Sequence, residues 1–209
     1  MKKVLVTAFD PFGGETTNPA LEAVMRLPDQ LNGAIIAKQE LPTVFNKSVH
    51  VLFQALEAER PDIIISVGQA GGSACISLER VAININDANI VDNDGFQPVD
   101  TPVVEDAPTA YFTTLPIKAI QRQLRQAEIP SAISNSAGTY VCNHVMYAAL
   151  HYAATRQPTL KAGFIHIPYL PTQTLFKPSS PSISLENAIA SLKIIIQTAC
   201  DDENYTLTS

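Results

Sequence analysis

The sequence predicts an α/β protein: a three-layer α/β/α sandwich in which helices cover both faces of a mainly parallel, twisted central sheet. Three observations lead there. Strand-like and helix-like segments alternate along the chain. The run Asp62-Ile63-Ile64-Ile65-Ser66-Val67 is apolar almost without interruption, the pattern of a parallel strand buried on both faces. Of 209 residues, 46% are hydrophobic and 16% charged, which suits one sizeable core under a lightly charged surface. A single domain over residues 1–209 follows, without internal repeats or a linker, and the polar tail from about Asp201 is expected to fray.

The elements follow in order. Residues 3–8 read as a buried first strand, closed by the loop Phe9-Asp10-Pro11-Phe12-Gly13-Gly14. Asn18-Pro19 starts a helix, with asparagine as N-cap and proline in the first helical position. Residues 34–41 form a second strand. Thr43 is the expected cap of a long amphipathic helix that runs to about Arg60, where Pro61 forbids continuation. After the apolar strand comes the loop Gly68-Gln69-Ala70-Gly71-Gly72, then a strand or pair of strands within 76–86. Residues 87–110 are rich in Asp, Asn, Pro and Gly, and so long a loop in a compact domain is usually functional or packed against a partner. A helix begins near Pro116, and residues 132–134 make a short strand. A helix then opens around Cys142 and a strand spans 162–167. A proline-rich loop covers 168–182, apolar at its start, and Ser184 caps a last helix to about Ala199.

A formal charge of −6 and scattered lysines and arginines argue against non-specific nucleic-acid binding or an anionic membrane surface. No window approaches the ~20 apolar residues of a membrane span. The start Met1-Lys2-Lys3-Val4 reaches Asp10 too soon for a signal peptide. Three widely spaced cysteines, 75, 142 and 200, cannot build a disulfide framework and fit a reducing cytoplasm.

Cys142 carries the chemistry. It sits where Ser134-Asn135-Ser136-Ala137-Gly138-Thr139-Tyr140-Val141 opens into a helix, so its thiol faces the positive end of the dipole and free N–H groups, which favour thiolate. A thiolate nucleophile needs a base. Of the four histidines, His144 lies roughly 200° around the helix from Cys142, and His151 is again near the opposite face. His50 is mid-helix with no motif around it. His166, in Gly163-Phe164-Ile165-His166-Ile167-Pro168, falls at the carboxyl end of a strand, the edge where active sites of open α/β sheets gather. Glu79 stands in the otherwise apolar run Ile76-Ser77-Leu78 and needs a partner, which protonated His166 would supply. At this point two readings stand: a catalytic series of Cys142, His166 and Glu79, or a structural ion pair beside a buried cysteine. The glycines at 68, 71 and 72 follow a strand but lack the lysine and helix of a phosphate loop, which weighs against a nucleoside-phosphorylase-like transferase. No histidine or cysteine pair has zinc spacing, and no cofactor is called for.

Four stretches together resemble the type I pyroglutamyl peptidase family: the Phe9–Gly14 loop, Gly68-Gln69-Ala70-Gly71-Gly72 with Glu79-Arg80-Val81-Ala82-Ile83-Asn84, Ala137-Gly138-Thr139-Tyr140-Val141-Cys142-Asn143-His144, and Gly163-Phe164-Ile165-His166-Ile167-Pro168-Tyr169. The resemblance runs from about residue 1 to 198. It implies a cytoplasmic cysteine exopeptidase that removes N-terminal pyroglutamate from small peptides and assembles as a homotetramer. It puts the nucleophile on Cys142, the base on His166 and the orienting acid on Glu79. It places the substrate pocket at Phe9, Phe12, Asn18, Thr43 and the two residues after it, and Gln69. Asn89, Ile90, Tyr140 and Val141 complete that pocket. Two positions depart from the family pattern: Ser73 follows Gly71-Gly72 where an arginine is usual, and Asn89 stands where an arginine precedes the Ile-Pro-Asp-Asn motif, here Ile90-Val91-Asp92-Asn93. That second arginine lies near the developing oxyanion in the family. Its loss implies weakened catalysis, and the absence of both arginines, at Ser73 and Asn89, implies as the alternative a non-catalytic lactam- or peptide-binding protein.

Overall fold

The structure, a computed structural model, describes residues 1–201; most of the tail expected to fray lies outside the described residues, and Asp201 closes the last helix. In chain order the elements are β1 (Lys3–Phe9), α1 (Pro19–Met25), β2 (Gln30–Leu31), β3 (Ala34–Leu41), α2 (Lys47–Glu59) and β4 (Ile63–Gln69). Then come β5 (Ile76–Glu79), β6 (Val81–Ile83), β7 (Ala110–Phe112), α3 (Ile117–Gln126) and β8 (Ser131–Ser134). The chain ends with α4 (Val141–Arg156), β9 (Lys161–Ile167), a 3₁₀ turn (Pro171–Thr174) and α5 (Leu185–Asp201).

Seven strands form one sheet in the order β2-β3-β1-β4-β9-β5-β8. Strands β3, β1, β4 and β9 run parallel. Strand β5 is parallel to β8 but antiparallel to β9, and the two-residue β2 is antiparallel to β3. Side chains alternate across the pleat. Val4, Val6, Ile63 and Ile65 therefore face one core, shared with Val24 of α1, Ile120 of α3 and Leu192 of α5. Leu5 and Ile64 face the other, shared with Leu52 of α2 and Met146 and Tyr147 of α4. The expected α/β/α sandwich is what forms, with α1, α3 and α5 on one face and α2 and α4 on the other.

Local signals decided most boundaries. Asn18 caps α1 by accepting from Ala20 N–H at 3.0 Å, with Pro19 in the first turn. Ser184 Oγ accepts from Asn187 N–H at the start of α5. Three expectations need correction. Thr43 does not cap α2: its N–H and hydroxyl both donate to Asp10, and the helix begins four residues later behind Asn46. Gly68 and Gln69 belong to β4 rather than to a loop, because they keep the ladder with His166 and Ile167 of β9. The 87–110 segment is less irregular than its composition suggests. Asn86 and Thr101 form an isolated bridge, and Ala110 opens β7, which pairs antiparallel with β6. Asn84 holds that segment through four side-chain hydrogen bonds: its Oδ1 accepts from the N–H groups of Val103 and Val104, and its Nδ2 donates to the Val104 and Ala107 carbonyls.

Candidate active site

The carboxyl edge of the sheet gathers the expected catalytic series. Helix α4 begins after Tyr140, which is extended and offers no side-chain cap. Its first intrahelical bond runs from His144 N–H to Tyr140 C=O, so the N–H groups of Val141, Cys142 and Asn143 lie ahead of the ladder. Cys142 is thus in the first turn, part-exposed and unbridged. The position is set by Asn143, fully buried, whose Oδ1 accepts from Ile83 N–H while its Nδ2 donates to the Ile83 and Ile85 carbonyls. One amide fastens the start of α4 to β6.

His166 and Glu79 meet through the antiparallel pairing of β5 and β9. Glu79 lies opposite Phe164 and Ser77 opposite His166, so Glu79 and His166 are diagonal neighbours on one sheet face. His166 Nδ1 is 2.8 Å from Glu79 Oε1. The carboxylate is 2% exposed, and its Oε2 has no hydrogen-bond partner among the described residues. A buried carboxylate in that condition is tolerable only beside a cation. Burial alone would push the His166 imidazole towards neutrality. The charge of the Cys142 thiolate and a hydrogen bond to it, followed by the bond to Glu79 and its charge, prevail and raise the pKa to about 10. At neutral pH the imidazole is therefore a cation, held between Glu79 and Cys142.

The nucleophile stands close against the sheet. A Cβ on Gly68 would lie 3.0 Å from Cys142 Sγ and 2.9 Å from Phe164 Cζ. Phe164 in turn packs against His166 with ring centroids 4.9 Å apart. Glycine at 68 is what lets thiol, aromatic ring and imidazole share one corner, and a glycine inside a strand is the sequence signal for such an approach. Placing Gly68 in a loop hid that signal.

The expected pocket residues separate into groups. Phe12, Tyr140 and Phe45 form an aromatic wall, with centroid distances of 6.1 Å for Phe12–Tyr140 and 5.5 Å for the edge-on Phe45–Tyr140 pair. Tyr140 OH donates to Val91 C=O at 3.1 Å. Its pKa is pushed up to about 12, first by burial and then by Asp92, Cys142 and Asp10, so the hydroxyl keeps its proton. Asn89 and Ile90 lie on an exposed bend. Gln69 ends β4, part-exposed, with Oε1 accepting from Gln173 Nε2 at 2.9 Å.

Four others are positioned differently from a direct contact. Phe9 is almost fully buried and supports Phe164, 6.2 Å away between centroids. Asn18 is buried with Oδ1 on Ala20 N–H and Nδ2 on Asp10 C=O, which commits both amide atoms to the first loop. Thr43 is tied to Asp10 as described, and its carbonyl accepts from Asn93 N–H. The Val141 side chain is wholly within the core, and its backbone N–H belongs to the first turn of α4.

Two further residues organise the site. Asp92, buried, accepts from Phe45 N–H through Oδ2 and from Asp94 and Phe96 N–H through Oδ1, at 2.9–3.0 Å. Its spacing to Gly95 was the available sign of such a turn. His144, expected to point away from Cys142, does so. Its Nε2 accepts from Asn46 N–H, so Nδ1 carries the proton given to Asn86 Oδ1 at 2.9 Å. Asn86 Nδ2 donates to Pro102 C=O, which fixes that amide the same way round. Burial drops the His144 pKa to about 4 and keeps it neutral. His151 Nδ1 instead meets Tyr111 OH. Of the departures from the family pattern, Ser73 closes a turn of its own, its hydroxyl donating to Cys75 C=O at 2.9 Å.

A first-turn thiol facing a buried, carboxylate-backed imidazolium at the carboxyl edge of an α/β sheet is the chemistry of a cysteine peptidase. Comparison with known proteins narrows this class. The pyroglutamyl peptidase family model matches residues 2–202. A pyrrolidone-carboxylate peptidase of Alkaliphilus oremlandii is 53% identical, covering 96% of this chain and 94% of that protein. One from Lactobacillus johnsonii is 55% identical, covering 91% and 88%. The crystal structure of pyroglutamyl peptidase I from Bacillus amyloliquefaciens is 48% identical over 100% of this chain and 99% of its own, with a TM-score of 0.95. The chain belongs to the pyroglutamyl peptidase family.

Proposed function

We propose that this chain is a cysteine exopeptidase that removes N-terminal pyroglutamate from peptides, with Cys142 as nucleophile, His166 as acid and base, and Glu79 as the group that orients and charges His166. The observation that carries the assignment of roles is the His166 imidazolium held between Glu79 at 2.8 Å and the Cys142 thiol. The thiolate attacks the carbonyl that joins pyroglutamate to the next residue, and a C–S bond forms as the carbonyl oxygen becomes an oxyanion. The N–H groups of the first turn of α4 are placed to stabilise that charge. His166 gives its proton to the departing amine, leaving a thioester. It then takes a proton from water, which attacks the thioester and frees pyroglutamate and the thiolate.

Pyroglutamate is a flat, neutral lactam, and the aromatic wall of Phe12, Phe45 and Tyr140 offers apolar contact rather than a counter-charge. A free α-amine would be desolvated there without a partner. The non-catalytic alternative is not favoured. Ser73 is occupied in its own turn, and the thiol, imidazole and carboxylate assemble without an arginine at 89. Asn89 would add at most a neutral donor from its exposed bend.

We read residues 1–209 as one catalytic unit, since α4, β5 and β9 contribute to the site across a single sheet. The cytoplasm suits it: a reducing compartment keeps thiols unpaired, and all three cysteines are free thiols. A homotetramer is the proposed assembly. Leu175 and Phe176, 73% and 94% exposed beyond the 3₁₀ turn, are apolar side chains of the kind an interface covers. Light scattering reads the subunit count directly.

The function is tested with a pyroglutamyl arylamide beside a prolyl arylamide, with and without a thiol-alkylating reagent. Release from the first alone, lost on alkylation and in Cys142→Ala and His166→Ala, is expected. Undiminished release from either variant overturns the assignment.

A further inference from the structure

Of the two buried histidines, His166 carries the proposed chemistry and His144 takes no part in it. His144 instead meets the chain at a strained turn. Asn46 has φ 60° and ψ −46°, and Lys47 N–H donates to Phe45 C=O at 2.6 Å. An i→i+2 bond around a residue with those angles is a γ-turn of the rare, strained hand. Nothing inside the turn accounts for its persistence: Asn46 is not glycine, and its side chain makes no capping bond to α2. Strain of this kind survives only where the surroundings over-determine it. The hold comes from His144. Its Nε2 accepts from Asn46 N–H at 3.2 Å, and its ring lies edge-on to Phe45 with centroids 5.3 Å apart.

The sense of that bond is fixed from the far side of the ring. Pro102 C=O can only accept, so Asn86 turns Nδ2 to it and Oδ1 to His144 Nδ1, which leaves the Nε2 lone pair for Asn46. The turn in its place sets Phe45, whose N–H is held by Asp92 Oδ2 at 3.0 Å. The Phe45 ring is boxed edge-on by Tyr140 at 5.5 Å, Phe96 at 6.1 Å and His144. Tyr140 and His144 are four residues apart across the first turn of α4, so one side of the helix start presents both to Phe45. Phe45 is buried, whereas Tyr140 and Phe12 are part-exposed. Tyr140 also lies close enough to Cys142 to feel its charge. Contact thus runs from His144 through Phe45 to the ring beside the nucleophile.

We propose that His144 is a positioning residue: by accepting from Asn46 N–H it pins the strained turn at 45–47, and through Phe45 it sets the Tyr140 side of the pyroglutamate pocket. The inference rests on the proposed peptidase function and adds to it a residue that acts on substrate binding without touching the substrate. Without the acceptor, the N–H of the exposed Asn46 turns to solvent and the turn relaxes towards negative φ. Phe45, next in the chain, moves with it, and Tyr140 loses the ring that backs it. Cys142 is held separately, through Asn143 on β6, so the nucleophile keeps its place.

The test is kinetic, on the pyroglutamyl arylamide. His144→Phe keeps a ring against Phe45 but removes the acceptor. With the competent turn reduced to about one-fifth of molecules, KM rises about fivefold while kcat stays within about twofold. His144→Gln offers Oε1 to Asn46 N–H and should hold KM within about twofold of wild type. Glycine adopts positive φ without strain, so adding Asn46→Gly to His144→Phe should recover most of the lost KM. A ring that merely filled space would not be answered by that change. Asn46→Val puts a branched side chain at a positive φ and should raise KM with His144 intact, so the turn is read even where His144→Phe fails to fold. The rate of Cys142 alkylation by a small neutral reagent should stay at the wild-type value in every variant. An unchanged KM in His144→Phe or Asn46→Val, a loss confined to kcat, or no recovery in the double variant overturns the role of His144. Inactivity of the wild type towards the reporter instead removes the peptidase reading, and this inference with it.

Discussion

Replacing Gly68 by alanine adds one methyl group where the structure has no space for it. The new carbon would lie 3.0 Å from Cys142 Sγ and 2.9 and 3.0 Å from Cζ and Cε1 of Phe164. Elsewhere in a strand, alanine for glycine stabilises by roughly 0.5–1 kcal/mol through the lost freedom of the unfolded chain. Here neither neighbour yields easily. Phe164 is buried against Phe9 and His166, and Cys142 is fixed by the start of α4. Overpacking of this kind costs about 1–3 kcal/mol. The net expectation is a loss of on the order of 1–2 kcal/mol, a fall in Tm of roughly 2–8 °C for a domain of this size. The catalytic loss should be larger in proportion, because displacing a nucleophile by a fraction of an ångström towards 1 Å costs up to about 10²-fold. Differential scanning calorimetry and kcat/KM on the pyroglutamyl arylamide read the two effects. A Gly68→Ala protein that melts higher than wild type and retains full kcat would refute the close approach of Cys142 to β4.

Three other perturbations follow from the same geometry. Glu79→Gln keeps an acceptor for His166 Nδ1 but removes the charge that helps raise its pKa. In the wild type kcat/KM should fall as pH rises through about 10, where His166 loses the proton it gives the leaving amine; in the variant this alkaline limb should move to lower pH, with kcat reduced on the order of tenfold. An unmoved limb would separate Glu79 from the imidazole. His144 is neutral in the fold with a pKa of about 4 against 6.5 for the free side chain, so the unfolded chain binds its proton first as pH falls. Its contribution is complete above about pH 6.5 and is lost towards pH 4, on the order of 3 kcal/mol in all. Urea melts across that range should show the decline in wild type and a flatter curve in His144→Phe. Asp92→Ala strips the acceptor from the N–H groups of Phe45, Asp94 and Phe96, which should cost about 1–3 kcal/mol and raise KM as the aromatic wall loosens. An unchanged KM would show that Phe45 is held by its ring contacts alone.

Much of the fold and the chemistry was legible in the chain because it depends on near neighbours. Asn18-Pro19 and Ser184 begin helices where their side chains can reach the backbone within two or three residues. The Cys142 segment announces a helix start, and His166 ends an apolar strand. Thr43 shows the limit of that reasoning. Its hydroxyl could have capped a helix, but Asp10, 33 residues earlier, offered a competing partner once β1 and β3 had paired. Gly68 was misplaced for the same reason, since what it must avoid is a sulfur 74 residues away.

The sequence by itself determined the alternating elements, the thiol at a helix start, and the histidine and glutamate that would join it. Only the tertiary structure decided that β5 runs antiparallel to β9, which turns Glu79 and His166 into diagonal neighbours on one face. It also decided that Gln173 and Gln69, 104 residues apart, meet. Periodicity and capping act over a few residues and leave their mark in the local pattern. Strand direction, steric approach and hydrogen-bond sense across a cleft arise when distant segments are packed together, and no local pattern records them.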